Sequence, residues 1–184
     1  MLWFRNAAVL LACLLIPSTA GTQEVAATGD GGVQPARIAN GTTFGNWVVS
    51  CEALAVNETT CVLKQQLARS TDRAFVAELL AFWTSDGTKR FMAVRVPNGV
   101  YLPSGFALRP ESETEETQFV WQSCGRDLCE GLVELSDDLA AQWTQAETLL
   151  GGYRPGRNAE PVVFTLSVAG LNEGLAALKV PPAE

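Results

Sequence analysis

The chain has 184 residues, 47% of them hydrophobic and 18% charged, with a formal net charge of −7 and no histidine. That length suffices to bury the core of one ordinary domain. The acidic balance argues against nucleic acid or an anionic lipid surface as partner, and the lack of histidine removes Ser-His-Asp triads, Cys-His pairs, His-liganded zinc and histidine pH switches.

In chain order, Arg5, the apolar run Ala7 to Ile16 and the small residues Ser18-Thr19-Ala20 have the three-part form of a secretory signal, which places a signal peptide at 1–20. The run is shorter than the roughly 20 apolar residues a bilayer-spanning helix needs, so no membrane span is expected. Leu10-Leu11-Ala12-Cys13 also has the form of a lipobox, whose acylation would anchor the chain. The apolar run before Cys13 is short for that use and continues beyond it, which favours plain cleavage. Residues 21–40 lack an apolar period of either kind and read as a flexible linker; the folded domain is expected over 41–180.

From Phe44 onward short runs with period two, punctuated by Gly, Pro, Asn and Asp, read as half-buried antiparallel strands. They fall at 44–51, 60–68, 75–83, 89–96, 105–109, 118–124, 128–135, 147–153 and 161–168. Ser85-Asp86-Gly87 supplies the turn chemistry of a hairpin. In 75–83, Phe82 and Trp83 point to opposite faces, so one of them is expected to be exposed or covered by a helix. Pro97 and Pro103 cannot donate to a ladder, so the segment 96–105 belongs at an edge or crossover.

Two short helices interrupt the strands. Ser136 caps 136–146, where Asp137 and Asp138 favour the positive end of the helix dipole. The second, 170–179, spaces Leu171, Leu175 and Leu178 on one face. The pattern predicts an all-β fold, a β-sandwich with two short peripheral helices.

Apart from Cys13, the cysteines are Cys51, Cys61, Cys124 and Cys129, an even number that reads in an exported chain as two disulfides. Trp47, Val49 and Cys51 share one strand face, as do Cys61, Leu63 and Leu67 in the next run. Pairing these neighbours brings Cys51 to Cys61. Cys124 and Cys129 flank a hairpin connection and can close a local bridge. Neither spacing is C-x-x-C, and no histidine is present to activate a thiol, so structural bridges are preferred over catalytic thiols.

Other constellations favour structural readings. The acidic run 111–116 lacks the spacing and central Gly of a calcium loop and reads as a solvated loop. Asp137 and Asp138 diverge by about 100° on a helix and cannot converge on one bond. Asn40-Gly41-Thr42 and Asn57-Glu58-Thr59 match the glycosylation sequon. Trp47, Trp83, Trp121 and Trp143 lie in apolar-periodic runs and read as core before they read as a stacking platform. The best binding-loop candidate is the Pro-braced turn carrying Pro97, Asn98, Tyr101 and Pro103, which presents an aromatic at low entropic cost.

Phe44-Gly45-x-Trp47-x-Val49-x-Cys51, Cys61, Val96-Pro97-x-Gly99-Val100-x-Leu102-x-x-Gly105, Cys124-x-x-x-x-Cys129 and Ser167-x-x-Gly170-Leu171 occur in an order that resembles the invasion-associated locus B family, from about Phe44 to Lys179. The resemblance implies an exported bacterial protein with an immunoglobulin-like β-sandwich and no catalytic residues to carry over. The resulting expectation is a periplasmic or secreted, non-enzymatic interaction module, linked to host-cell contact or to the envelope, with a protein or glycan partner and no cofactor or metal. A carbohydrate-binding accessory or a carboxylate-dependent hydrolase is the alternative, the latter recognisable by two convergent carboxyls about 5–10 Å apart.

Overall fold

The computed structural model describes residues 38–55 and 58–179. The signal peptide read at 1–20, the lipobox Cys13, most of the linker at 21–40, Asn57 of the second sequon and the end of the 41–180 domain at residue 180 lie outside the described residues.

Ten strands and two α-helices follow in order: β1 Thr43–Phe44, β2 Trp47–Ala55, β3 Glu58–Ala68, β4 Phe75–Trp83, β5 Arg90–Pro97, β6 Phe106–Pro110, β7 Thr117–Cys124, β8 Leu128–Glu134, α1 Asp137–Ala146, β9 Thr148–Tyr153, β10 Val162–Ser167 and α2 Leu171–Leu178. The run read as one strand over 44–51 is broken: β1 and β2 form a small hairpin around Gly45 and Asn46. Gly45 has φ 54°, the backbone sign that a two-residue hairpin needs at its first central position.

All ten strands join one antiparallel sheet in the order β1-β2-β3-β4-β5-β8-β7-β6-β9-β10. The curl comes from β7. Its first residues, Thr117 to Phe119, pair with β6, whereas Val120 to Cys124 pair with β8. One strand therefore belongs to both halves of the sheet, and the halves turn their apolar faces toward each other.

Period-two alternation decides those faces. Ala77, Leu79 and Ala81 of β4 and Met92, Val94 and Val96 of β5 point into a core shared with Trp47, Leu63, Phe106, Leu108, Leu149 and Leu166. Each large side chain so buried stabilises by about 1.5–3 kcal/mol. Phe106 meets Phe119 edge-on at 4.9 Å between centroids, and the Tyr153 hydroxyl donates to Val76 O across the halves at 3.1 Å.

The helices close one end. Ser136 Oγ accepts from Leu139 N–H at 3.2 Å and caps α1, Asp137 forms an ion pair with Arg90, and Ala140 and Trp143 are buried. On α2, Leu171, Leu175 and Leu178 face the core. That helix settles which of Phe82 and Trp83 it covers. Trp83 Nε1 donates to Leu175 O at 2.7 Å and Lys179 Nζ lies 4.9 Å from its ring. Phe82 stacks on Phe91 on the opposite face of the sheet.

The two ends of the sheet also meet. A Cβ on Gly45 would run into Ala169 O, and one on Gly170 into Phe44 O. Only residues without side chains permit backbones to approach this closely.

Candidate functional site

The predicted binding loop is held by two different neighbours. β5 ends where Pro97 pairs with Leu128. Asn98 then turns back onto the Cys124–Cys129 hairpin: its Nδ2 donates to Gly125 O at 2.9 Å and to Arg126 O at 3.1 Å, and its N–H donates to Asp127 O at 2.9 Å. The side chain thereby satisfies carbonyls at a hairpin tip that has few ladder bonds of its own.

Tyr101 faces the other way. Its N–H donates to Arg154 O at 2.8 Å, and the Arg157 guanidinium lies 6.0 Å from its half-buried ring. Leu102 to Ser104 form a 3-10 turn, with exposed Pro103 in its first residues and Ser104 Oγ donating to Tyr101 O at 2.8 Å. The structure thus brings Asn98 to the disulfide hairpin and Tyr101 to the 154–157 loop, while Pro103 points to solvent. Arg154 and Arg157 carried no local sequence signal that could have marked them.

Beside this loop, a trough of about 310 Å³ crosses the outer face of β6, β9 and β10. It arises from register. Gln118, Ala107, Gly152 and Val163 stand directly opposite one another across four strands, and the two smallest residues occupy the middle. Ser104 borders the trough at the loop end, with Arg109, Glu116 and Arg154 around it. These charges are tied to the protein. Arg109 donates to the carbonyls of Pro110, Glu111 and Glu113. Arg154 Nη1 donates to Ala159 O at 2.8 Å, and Glu116 accepts from Gln118 Nε2 at 3.2 Å. The result is a shallow, mixed polar and apolar surface whose charged side chains are already bonded within the protein.

The remaining charges make a cross-strand ladder on the outer face of the other half. Arg95 Nε lies 2.7 Å from Glu130 and its Nη1 3.5 Å from Glu78, which also meets Lys64 at 3.3 Å. Burial works against the Arg95 charge, yet Glu130 and Glu78 hold its pKa above the ordinary value. Two carboxylates clamped on one guanidinium form an ion-pair network, whereas a hydrolase acid must be free to exchange its proton. In the β4–β5 turn, donors from the Thr84 hydroxyl and from Thr88 lower the Asp86 pKa to about 2.

Cys51 and Cys61 stand directly opposite each other in β2 and β3 and are disulfide-bonded, as are Cys124 and Cys129 in β7 and β8. Among the described residues no group of three or more His, Cys, Asp or Glu is placed to hold a metal ion, and no helix is long and apolar enough to cross a membrane. Trp47 and Trp143 are buried in the core and Trp121 is half-buried against it. With Trp83 under α2, the four tryptophans among the described residues form no common stacking platform.

The invasion associated locus B (IalB) protein family matches residues 47–179. The fold is similar to that in the crystal structure of invasion associated protein B from Bartonella henselae, with a TM-score of 0.62 and 14% sequence identity over 74% of this chain and 92% of that one. No curated protein matches the chain by sequence.

Proposed function

The chain belongs to the invasion associated locus B family, and from that premise we propose that it is an extracytoplasmic, non-enzymatic interaction module that binds a protein or glycan at the trough beside the Pro97–Gly105 loop. The observation that carries this reading is the oxidised state of all four described cysteines. Cytosolic reductants keep thiols free, so two structural disulfides favour a periplasmic or secreted location. The same bridges leave no thiolate among these four residues for nucleophilic chemistry. Residues 1–20 then serve as a cleaved signal that removes Cys13, and 21–40 as the linker to the domain.

The Bartonella henselae relative is called an invasion associated protein; contact with host cells or a role in the bacterial envelope is the corresponding proposal for this chain. In this reading the curled sheet is an immunoglobulin-like β-sandwich whose layers stay joined through β7. The cross-layer bond from Tyr153 to Val76 supports it.

A cross-linking pulldown from periplasm and culture medium tests the site, comparing the wild type with Tyr101→Ala and with Ala107→Leu, which fills the trough. Loss of the same partners in both variants supports the proposal. Unchanged partners in both would remove the trough from it, and turnover of a glycan or peptide library by the purified protein would remove the non-enzymatic part.

A further inference from the structure

The two ends of the ten-stranded sheet are protected unequally. Open strand edges are templates for pairing with other chains, and proteins usually blunt them with charge, proline, a bulge or a covering segment. At the β2 end that covering exists. β1 pairs with Trp47 and Val48; beyond it Gly41 N–H donates to Val49 O and Val49 N–H to Thr42 O, and Asn40 Oδ1 accepts from Cys51 N–H.

At the other end β10, Val162-Val163-Phe164-Thr165-Leu166-Ser167, contains no charge, proline or glycine. No strand among the described residues pairs with its far edge. Val168 N–H donates to Glu147 O at 3.0 Å, and these two continue the β9–β10 register. Alternation then makes 166, 164 and 162 hydrogen-bond β9, while the N–H and C=O groups of Val163, Thr165 and Ser167 point outward.

Two of these, Thr165 and Ser167, line a second cavity, of about 440 Å³, between β10 and the end of β3, with Asn46, Gln65, Gln66 and Thr148 among the other lining residues, whereas Val163 borders the trough. None of these six side chains is ionisable. Gln65 is only 6% exposed, and its Oε1 has no hydrogen-bond partner. An unpaired buried amide oxygen is destabilising, and the last torsion of glutamine is soft enough to turn it toward the cleft.

We propose that the free edge of β10, with Gln65 as its polar anchor, is an acceptor site for a short, uncharged, extended peptide segment of another polypeptide, added as an eleventh strand. The incoming backbone completes the ladder bonds of Val163, Thr165 and Ser167, and one of its donors satisfies Gln65. A charged side chain entering the cleft would lose water without gaining a counterion, which selects for neutral segments. Main-chain pairing supplies the affinity and the side-chain pockets the sequence preference, as in other strand-addition complexes. The site shares only Val163 with the border of the trough and rests on the interaction-module reading only in requiring a polypeptide partner.

The test pans a displayed heptapeptide library on the full, oxidised protein. The enriched peptides, acetylated and amidated, are then titrated by fluorescence anisotropy and by amide NMR shifts. Enriched sequences are expected to be uncharged and rich in β-branched residues, with shifts at 163–167 and 65–67. Removing one outward donor by Thr165→Pro, or the anchor by Gln65→Leu, is expected to weaken binding about 3- to 10-fold each. Ala107→Leu, in the trough, leaves it unchanged.

Methylating alternate backbone nitrogens of the peptide makes the same cut without touching the protein and keeps the result readable if Thr165→Pro unfolds. Binding that survives both N-methylation and Gln65→Leu, or a library that enriches no sequence, overturns the proposal. So does a Gln65-dependent response to neutral oligosaccharides without peptide binding. None of these three results touches the trough, whose own pulldown decides it; turnover of the peptides would bring down both readings.

Discussion

Gly170 offers a quantitative test of how the curled sheet is closed. It precedes α2 with φ 87° and ψ −6°, and its missing Cβ leaves room for the carbonyl of Phe44 in β1. In Gly170→Ala the left-handed backbone costs about 1–2 kcal/mol. Phe44 is held by its pairing with Trp47 and cannot withdraw freely, so the clash adds about 1–3 kcal/mol. A total near 3 kcal/mol corresponds to a fall in Tm of about 10 °C for a domain of this size. Gly99→Ala is the control: φ is 99° there too, but nothing lies within 4 Å of the added Cβ, so only the backbone cost remains, about 1–2 kcal/mol. Urea unfolding followed by tryptophan fluorescence measures both. Equal losses for the two variants would show that the ends of the sheet do not press together, and the closure described above would fail.

Three further outcomes follow from the fold. Replacing Cys51 and Cys61 together with alanine is expected to cost about 2.5–3 kcal/mol, and replacing Cys124 and Cys129 about 2 kcal/mol, in the order of their sequence separations of 10 and 5; denaturant midpoints in the reverse order would contradict the loop-closure estimate. Tyr153→Phe removes the bond to Val76 that joins the two halves of the curled sheet and is expected to destabilise by about 1 kcal/mol in the same assay. Asp86 has a folded pKa of about 2 against 3.8, so its contribution is full well above pH 4 and is lost as the pH falls toward 2; Asp86→Asn should flatten that part of the acid stability profile, and an unchanged profile would remove the Thr84–Asp86–Thr88 turn as its source.

Local periodicity made most strands and both helices legible. β4 and β5 alternate cleanly, the Asp86-Gly87 turn joins them, and Ser136 marks the start of α1. The break in 44–51 was also written in the chain, as a Gly-Asn pair between apolar residues, but the longer alternation from Trp47 onward masked it. The dual pairing of β7 was not legible. Period two says which side chains share a face, not which neighbour a strand finds, and β7 changes neighbours between Phe119 and Val120.

The candidate site divides in the same way. Proline and glycine announced the loop at 97–105. The trough instead depends on Ala107 and Gly152 falling opposite each other, 45 residues apart, and the Gln65 cleft on where the sheet ends. Only long-range register creates either one. Trp83 against Phe82 was likewise decided by α2, nearly a hundred residues later.

The central proposal is that this domain works outside the cytosol, where its two disulfides can form and persist, and that these bridges leave its four cysteines without thiol chemistry. Its most direct test is to quench intact cells with an alkylating agent, isolate the chain from the periplasm and medium, and map its peptides without reduction. Linked peptides joining Cys51 to Cys61 and Cys124 to Cys129, with none of the four alkylated, are the expected result. Alkylated cysteine at any of these positions, a Cys51–Cys124 or Cys51–Cys129 linkage, or recovery of the chain from the cytosol alone would contradict it.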